Sequence, residues 1–398
     1  MENKTYRVLG MMSGSSLDGL DVALCQFTVE GQQLGGPPEW ELIHAQTLPF
    51  PGAWQARLRQ AVVLPGKELW RLHTEFGHFI GKAASDFLTK NQLEADLIGS
   101  HGHTLFHDPQ KGSTTQIGEG AAIARHTGLP VVTELRTADM ALGGQGAPIA
   151  PIADHFLFPT YGAFLNIGGI ANICVKTSAT QRSDSGNTIP SNSPVTSYMA
   201  GDVSAANQIL DRLVKLIDPS YDFDPEGQIA ATGKVLPDLI TRLNELKYHL
   251  LPYPKSLDNG WVVNEVWPLL RDHPGSIQDR LCSFCHFLAE RIHTDLNKLL
   301  QGSKLAAQPI KVLVSGGGAR NSFLLKCLRS LPQDNTYPLG YAVDPNEQIG
   351  DFKEAAMVAL MALLRKLGQT NSFASATGAQ SNAINGAMYL PPPNIQAE

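Results

Sequence analysis

The apolar positions in the first third of the chain follow two periods, which separate predicted strands from predicted helices. Short apolar stretches bounded by turn residues predict strands, and apolar residues three or four positions apart predict amphipathic helices. The turn Met12-Ser-Gly-Ser-Ser-Leu-Asp-Gly joins two such stretches and predicts a β-hairpin. The predicted strands are 6–11, 20–27, 42–48, 97–100 and 130–133, and the predicted helices are 53–64, 69–90 and 121–126.

The second half of the chain repeats this order of elements. Two apolar stretches flank Gly168 and Gly169 and predict another hairpin, and a buried strand is followed by Ser315 and three glycines. The polar segment 177–197 predicts a solvated loop or an extension of the hairpin. Two successive units of this kind indicate a duplicated fold, and clefts between domains are where small ligands bind. The predicted strands are 163–167, 170–175 and 310–314, and the predicted helices are 205–216, 236–246, 279–300, 323–330 and 352–367.

Length and composition narrow the class of protein. The chain has 398 residues, which at about 150 residues per domain predicts more than one domain. Its formal charge is -6, so we expect neither nucleic acid nor an anionic membrane surface as a partner. The longest apolar run, 355–364, has about half the length of a membrane span, and the first residues lack the apolar segment of a secretory signal. We therefore expect a cytoplasmic location.

The cysteines raise the question of a haem or zinc site. The spacing Cys282-Ser-Phe-Cys285-His286 matches the form of a c-type haem attachment site. It lies, however, in a segment where apolar residues recur at helical spacing, and cysteines on such a helix usually fill a core. We therefore predict that these thiols are reduced core residues.

Glycine-rich turns are the first candidates for binding chemistry. The turn from Gly14 to Asp21 offers backbone N–H groups and serine hydroxyls to a phosphate, and Asp18 could hold a hard cation. Leu165-Asn-Ile-Gly-Gly-Ile-Ala-Asn172 gives an equivalent turn, and Ser315-Gly-Gly-Gly-Ala-Arg-Asn321 places glycines between a strand and a helix. Each could also be an ordinary turn or close strand–helix packing. Their combination favours phosphate binding.

A carboxylate and several histidines are the next candidates. Glu134 follows a predicted strand, where it is either a general base facing a cleft or a solvated loop residue. The histidines of Ser100-His-Gly-His-Thr, together with His107, could suggest a metal site. No local carboxylate or thiol completes a ligand set, so we favour hydrogen-bonding histidines.

These motifs together resemble those of the anhydro-N-acetylmuramic acid kinase family, and they occur in order over nearly the whole chain. The resemblance implies an α/β fold like that of hexokinase and actin, with two ribonuclease-H-like domains around a central nucleotide cleft. It also implies that ATP and water, with Mg²⁺, convert 1,6-anhydro-N-acetylmuramate to N-acetylmuramate 6-phosphate and ADP, and it suggests a homodimer. The motifs that carry the resemblance are Met12-Ser-Gly-Ser-Ser-Leu-Asp-Gly, Ser100-His-Gly-His-Thr, Gln116-Ile-Gly, Gly143-Gly-Gln-Gly-Ala-Pro, Asn166-Ile-Gly-Gly-Ile-Ala-Asn, Pro254-Lys-Ser256, Gly316-Gly-Gly-Ala-Arg-Asn, Lys353-Glu-Ala355 and Thr377-Gly-Ala with Gly386.

The resemblance also assigns roles to individual residues and divides the chain. Residues 1–134 with 372–398 would form the first domain, and residues 135–371 the second. Glu134 and Asp18 take the catalytic positions, and Asp18 is the carboxylate on the magnesium side. The positions that bind the sugar substrate are His103, Gln116, Gly144, Gln145, Asp202 and Asn207. The positions that bind the nucleotide are Gly14, Ser15, Ser16, Leu17, Asp18, Gly19, Leu20 and Asp21 in the first phosphate turn, Asn166, Gly168 and Gly169 in the second, and Gly316, Gly317, Gly318 and Asn321 in the adenosine loop.

The chain departs from the family pattern at three places. In Gly201-Asp202-Val-Ser-Ala-Ala-Asn207, Asp202 and Asn207 match a family motif, but the glycines and the proline that the family has between them are missing. The family has Asp-Phe-Arg where this chain has Glu134-Leu-Arg, and that aspartate is the family's general base. After Lys255-Ser256 the family has a glycine and then a glutamate, whereas this chain reads Leu257-Asp-Asn-Gly260. Three functions therefore stay open: the family's kinase reaction, which leads, a sugar- or nucleotide-binding protein with weak or no catalysis, and a kinase for a different sugar. Turnover of the anhydro sugar separates them.

Overall fold

A computed structural model gives the arrangement of these elements. It describes residues 3–14, 17–31, 34, 36–179, 195–257, 259–303, 308–333, 336–344 and 346–393. The strands are β1 (Asn3–Ser13), β2 (Gly19–Glu30), β3 (Glu39–Pro49), β4 (Leu97–Asp108), β5 (Ser113–Ile117), β6 (Val131–Thr133), β7 (Ala163–Ile167), β8 (Ile170–Ala179), β9 (Val195–Ala205), β10 (Ile310–Ser315), β11 (Leu339–Val343) and β12 (Ala387–Tyr389). The α-helices are α1 (Gly52–Gln60), α2 (Gly66–Lys90), α3 (Gly120–Thr127), α4 (Thr137–Ala141), α5 (Pro151–Phe156), α6 (Asn207–Lys215), α7 (Pro237–Asn244), α8 (Asn259–Trp261), α9 (Trp267–Arg271), α10 (Ile277–Gln301), α11 (Ser322–Ser330), α12 (Glu347–Asp351), α13 (Lys353–Lys366) and α14 (Ala374–Thr377). A π-helical segment, Val262–Val266, joins α8 to α9, and 3-10 turns lie at Ala61–Val63, Pro109–Lys111, Pro225–Gly227, Ala230–Thr232, Lys247–Leu250 and Gly317–Arg320.

The chain divides into two compact units. The first comprises Met1–Pro159 with Phe352–Glu398, and the second comprises Thr160–Asp351. The boundaries differ from the predicted ones, because residues 135–159 and 352–371 belong to the first unit.

Helix α13 explains why the boundary lies where it does. It packs closely on the first sheet, where a Cβ atom at Gly10 of β1 would lie 1.9 Å from the Ala355 carbonyl oxygen. At its start, the Lys353 ammonium pairs with the buried Asp154 carboxylate of α5 at 2.6 Å. The apolar run 355–364 is buried along its whole length in this helix.

The sheet of the first unit has the strand order β12-β6-β4-β1-β2-β3, and β5 also pairs with β4. Strands β1, β2 and β3 form an antiparallel meander, whereas β4 and β6 continue the sheet in parallel from the other edge of β1. The hairpin of β1 and β2 was predicted and is confirmed, and the predicted strand 42–48 lies within β3. Strands β5 and β12 were not predicted, because both are short and form by pairing with β4 and β6.

The second unit repeats this topology with the strand order β11-β10-β7-β8-β9. Strands β7, β8 and β9 form the antiparallel meander, and β10 and β11 follow in parallel from β7. The shared order and strand directions are those of a ribonuclease-H-like domain. The predicted α/β fold with two such domains is therefore confirmed.

Strand β9 is a feature that the sequence pattern did not indicate. The segment 177–197 was predicted to be a loop or a hairpin extension, and its described ends form an extension: β8 continues to Ala179 and pairs with β9, which begins at Val195. Residues 180–194 lie outside the described residues. Small and polar residues dominate β9, so its strand structure comes from pairing with β8 rather than from an apolar alternation. The following helix begins at Asn207, two residues later than predicted.

Helix α10 shows that Cys282 and Cys285 are core residues rather than part of a haem or zinc site. Cys282 and Cys285 lie in α10 and are buried with Phe284 and Leu288, as predicted for core residues. Burial raises the pKa of the Cys285 thiol well above its usual range, so this sulfur stays protonated. Among the helices of the described residues, none has the length and apolar character that crossing a membrane requires.

Candidate active site

The turn between β1 and β2 carries the first group of predicted nucleotide-binding residues. Ser13 pairs with Leu20 across the hairpin of β1 and β2. Leu17 has a left-handed backbone, with a φ of 62°, and its N–H donates a hydrogen bond to the Gly14 carbonyl oxygen. The turn and the start of β2 contain Gly14, Leu17, Asp18, Gly19, Leu20 and Asp21, whereas Ser15 and Ser16 lie outside the described residues.

The carboxylates of Asp18 and Asp21 have different surroundings. Asp18 is exposed, and its backbone carbonyl oxygen accepts a hydrogen bond from the Phe50 N–H. Asp21 lies opposite Thr47 of β3, whose hydroxyl donates a 2.6 Å hydrogen bond to Asp21 Oδ1. The Asp18 carboxylate is therefore the more accessible to a hard cation, for which carboxylate oxygens are suitable ligands.

Glu134 directly follows β6, and its backbone conformation is unusual. Its φ of 58° is left-handed, which costs free energy in a residue other than glycine, asparagine or aspartate. The side chain is exposed, and Oε1 accepts a hydrogen bond from the Tyr389 hydroxyl at 3.5 Å. Burial and the Glu134 carboxylate raise the pKa of Tyr389, so the hydroxyl keeps its proton and can donate it. A strained backbone beneath an exposed carboxylate is typical of a functional site.

Arg136 connects the segment after β6 to two neighbouring loops. Its Nε donates a 2.8 Å hydrogen bond to His101 Nε2, and its Nη1 donates one of 2.7 Å to the Gly146 carbonyl oxygen. Because Nε2 accepts, the proton of His101 is on Nδ1, which donates to the Gly102 carbonyl oxygen at 3.2 Å. Burial and the Arg136 charge lower the pKa of His101 to about 3. His101 is therefore a neutral hydrogen-bonding residue, as predicted.

Strands β4 and β5 bring two predicted sugar-binding residues close together. Gln116 pairs with Thr104, the residue that follows His103. Gln116 Nε2 donates hydrogen bonds to the hydroxyls of Thr114 and Thr104, at 2.8 and 3.3 Å. His103 Nδ1 lies 3.1 Å from Ser13 Oγ at the end of β1, and burial lowers the pKa of this histidine. The sugar-binding candidates therefore adjoin the strand that leads into the first phosphate turn.

The loop that contains Gly144 and Gln145 is hydrogen-bonded to the neighbouring helix α4 and to a residue far away in sequence, Thr377. The Gly144 N–H donates to the Asp139 carbonyl oxygen, and the Gln145 N–H donates to the Thr377 carbonyl oxygen, both at 3.0 Å. Gly144 is buried, whereas the Gln145 side chain is exposed. Asp139 was not among the predicted residues, because nothing in the sequence indicates that this carboxylate is buried.

The glycine turns of the second unit lie side by side. The pairing of β7 with β10 places Ser315 opposite Asn166, and a Cβ atom at Gly316 would lie 2.5 Å from Asn166 Oδ1. The Asn207 N–H donates to the Gly168 carbonyl oxygen at 3.1 Å, and its Nδ2 donates to the Ile167 carbonyl oxygen at 3.2 Å. The structure therefore brings together Asn166, Gly168, Gly169, Asn207, Gly316, Gly317 and Gly318.

Asn321 has a structural role in the glycine loop that follows β10. It follows the 3-10 turn Gly317–Arg320 and is the N-cap residue of α11. Its Oδ1 accepts a 2.9 Å hydrogen bond from the Leu324 N–H, which satisfies one of the free N–H groups at the helix start. This cap fixes the position of the loop relative to α11.

Asp202 has partners other than the glycine turns. Its Oδ2 accepts a 2.7 Å hydrogen bond from the Leu257 N–H, and its own N–H donates to the Lys255 carbonyl oxygen. Burial raises the pKa of the Asp202 carboxyl. The Lys255 ammonium is itself buried and lies 3.4 Å from Asp295 Oδ2. Asp202 and Asn207 thus belong to one sequence motif but contact different loops.

Comparison with known proteins identifies the family. The sequence model described as anhydro-N-acetylmuramic acid kinase matches residues 6–391. The chain belongs to this family. The Shewanella oneidensis protein of that name is 32% identical over 408 residues, which cover 97% of this chain and 99% of the relative. The Synechococcus elongatus protein of that name is 33% identical and covers 96% of this chain and 99% of the relative.

Among solved structures, the chain is similar to a hexokinase from Schistosoma mansoni complexed with glucose. The alignment covers 89% of this chain and 85% of the hexokinase, with a TM-score of 0.40 and 10% identity.

Proposed function

We propose that this protein is an ATP-dependent kinase that opens the anhydro bridge of 1,6-anhydro-N-acetylmuramate and phosphorylates the sugar, giving N-acetylmuramate 6-phosphate and ADP. The observation that carries the proposal is the match to the kinase family over residues 6–391. Relatives that bear the family name align with nearly the full length of the chain. In this function the protein returns cell-wall sugar to metabolism, and we place the reaction in the cytoplasm, where ATP is supplied.

The reaction requires a base and a phosphoryl acceptor. Water attacks the anomeric carbon, the bond from that carbon to the bridging oxygen breaks, and the freed 6-oxygen takes the γ-phosphoryl group of ATP. We assign Glu134 as the group that accepts the proton of the attacking water. Its exposed carboxylate at the end of β6 and its contact with Tyr389 support this assignment. We assign sugar binding to His103, Gln116, Gly144, Gln145, Asp202 and Asn207.

The glycine turns fit a nucleotide phosphate chain. A Cβ atom at Gly168 or Gly317 would meet no neighbouring atom closer than 3.5 Å, so the backbone is open to an approaching ligand. Backbone N–H groups in such turns bind phosphate oxygens. Asp18 would hold Mg²⁺ through its exposed carboxylate. When bound, the metal ion neutralises the charge that develops on the transferred phosphoryl group.

The test combines the anhydro sugar with Mg-ATP and the purified protein, and mass spectrometry detects the phosphorylated, ring-opened product. We expect product with the wild type and a loss of roughly 100- to 10,000-fold in the rate with Glu134→Gln. Glu119→Gln is the matched control, because Glu119 is a neighbouring carboxylate that also raises the pKa of Tyr389. We expect this control to keep its activity.

The outcomes separate the functions that stay open. Nucleotide binding without turnover in the wild type would refute the kinase proposal and favour a binding protein. Turnover of another anhydro or amino sugar alone would indicate a different substrate. Full activity in Glu134→Gln would remove Glu134 from the mechanism.

A further inference from the structure

Asp139 is a fully buried carboxylate in the short helix α4. Its Oδ2 accepts a 2.8 Å hydrogen bond from the Gly146 N–H. Its Oδ1 accepts hydrogen bonds from the hydroxyls of Ser372 and Thr377, at 3.0 and 2.7 Å. The backbone N–H of Asp139 donates to Asn385 Oδ1 at 3.0 Å. A buried carboxylate is costly to desolvate unless it is paired or hydrogen-bonded, and these bonds offset that cost.

These contacts connect the loop 143–146 to the C-terminal part of the first unit. Gly144 packs against Asp139 so closely that a Cβ atom there would lie 2.2 Å from Oδ2. Thr377 also accepts a hydrogen bond from the Gln145 N–H through its carbonyl oxygen. The loop therefore has backbone hydrogen bonds on both sides of the exposed Gln145 side chain. The motif around Thr377, to which the proposed reaction assigns no role, has a physical task in this arrangement.

We propose that Asp139 is a positioning residue for sugar binding, which holds the loop 143–146 in its binding geometry through Ser372 and Thr377. The proposal rests on the proposed function, because Gly144 and Gln145 are assigned to the sugar. Asp139 itself is buried and acts through the loop. A shift of about 1 Å in a substrate-positioning group can cost roughly a hundredfold in rate, so the rigidity of this loop matters for catalysis.

The kinetic signature of a positioning residue differs from that of a base. Asp139→Ala removes the acceptor of the Gly146 N–H and of both hydroxyls. We expect the KM for the anhydro sugar to rise at least tenfold, while the KM for ATP changes less than threefold. Thr377→Val removes one hydroxyl at nearly constant shape, and we expect a rise of about threefold to tenfold in the sugar KM, following the loss of one side-chain hydrogen bond. Thr377→Ser keeps the hydroxyl and should restore most of the sugar affinity.

Hydrogen exchange tests the anchoring independently of activity. We expect faster exchange at Gly144, Gln145 and Gly146 in Asp139→Ala and Thr377→Val than in the wild type, without faster exchange in α2. Leu88→Ala is the control for general loss of stability, because Leu88 is a buried residue at the end of α2, outside the loop and its partners. It should lower the melting temperature without changing the ratio of the two KM values.

Each result decides one question. An unchanged sugar KM in Asp139→Ala and Thr377→Val, with an active wild type, would overturn the positioning role. Equal effects on the KM for sugar and ATP, matched by Leu88→Ala, would also overturn it by indicating a structural role alone. Absence of turnover in the wild type would instead refute the proposed function, and the exchange rates would then decide alone whether Asp139 holds the loop.

Discussion

Substitution of Gly316 by alanine tests whether the glycine loop after β10 depends on a conformation that only glycine adopts easily. Gly316 has a φ of 81° and a ψ of 170°, a region that is essentially restricted to glycine. A Cβ atom would also lie 2.8 Å from the Ile167 carbonyl oxygen and 2.5 Å from Asn166 Oδ1. The Asn166 side chain can move, but the Ile167 oxygen belongs to the backbone of β7. Gly316→Ala must therefore displace either the loop or β7.

The expected cost has two parts. The unfavourable backbone conformation costs about 1–3 kcal/mol, and forcing a methyl group into packed surroundings costs about 1–3 kcal/mol more. Together these lower the free energy of unfolding of the second unit by about 2–6 kcal/mol. For a unit of this size, at about 2–4 °C per kcal/mol, that corresponds to a fall of roughly 4–24 °C in the melting temperature. The same strain displaces the loop that we propose binds the nucleotide.

Thermal unfolding with and without a non-hydrolysable ATP analogue measures both effects. We expect Gly316→Ala to melt at a lower temperature and to lose most of the stabilisation that the analogue gives the wild type, since ligand stabilisation depends on affinity. Gly340→Ala is the matched control in the neighbouring strand β11, where a Cβ atom would meet nothing closer than 3.9 Å. Wild-type melting and wild-type stabilisation by the analogue in Gly316→Ala would refute this reasoning.

Other substitutions test the proposed base, the magnesium ligand and a buried histidine. Glu134→Asp should match or exceed wild-type turnover, because aspartate tolerates the left-handed backbone at this position better than glutamate does, and a large loss of kcat would contradict this. Asp18→Asn should leave the melting temperature unchanged but weaken Mg-ATP binding in calorimetry. An unchanged affinity would show that Asp18 is a structural residue of the turn and does not hold the metal ion. Burial, with the charges of Arg291 and Lys255, lowers the pKa of His249 to about 4. Below about pH 6.5 the unfolded chain therefore binds a proton at His249, whereas the folded chain binds it only near pH 4. The free energy of unfolding should consequently fall by up to about 3 kcal/mol between pH 6.5 and 4. His249→Phe should flatten the pH dependence of denaturant unfolding in this range, and equal slopes in both proteins would show that His249 does not cause it.

The main features of the fold and the candidate site followed from local patterns. The hairpins around Gly14 and Gly168 were predicted because strand, turn and strand are adjacent in the chain. The long helices α2 and α10 were predicted because their apolar residues recur at helical spacing. The family was predicted from the amino-acid sequences of the motifs, and the match over residues 6–391 confirms it. The roles assigned to the individual site residues stay predictions.

Features that join distant segments did not follow from the pattern. The contact of Tyr389 with Glu134 depends on the pairing of β12 with β6, and three apolar or aromatic residues in sequence do not indicate that partner. The sequence did not indicate that Asp139 is buried either. Its hydrogen-bond partners lie in the next loop and in residues more than 200 positions away along the chain.

The sequence by itself determined the long helices, the central strands, the duplicated α/β plan and the family, since each rests on residues close together in the chain or on their identities. Only the tertiary structure decided which strands pair at the sheet edges, that α13 belongs to the first unit, and which polar side chains are buried. The physical reason is that an isolated segment carries its own backbone preferences but not its partners. Arg136 illustrates the difference. The sequence motif Glu134-Leu-Arg136 identifies the residue, but its hydrogen bonds to His101 and Gly146 form only when β4, β6 and the following loop have come together.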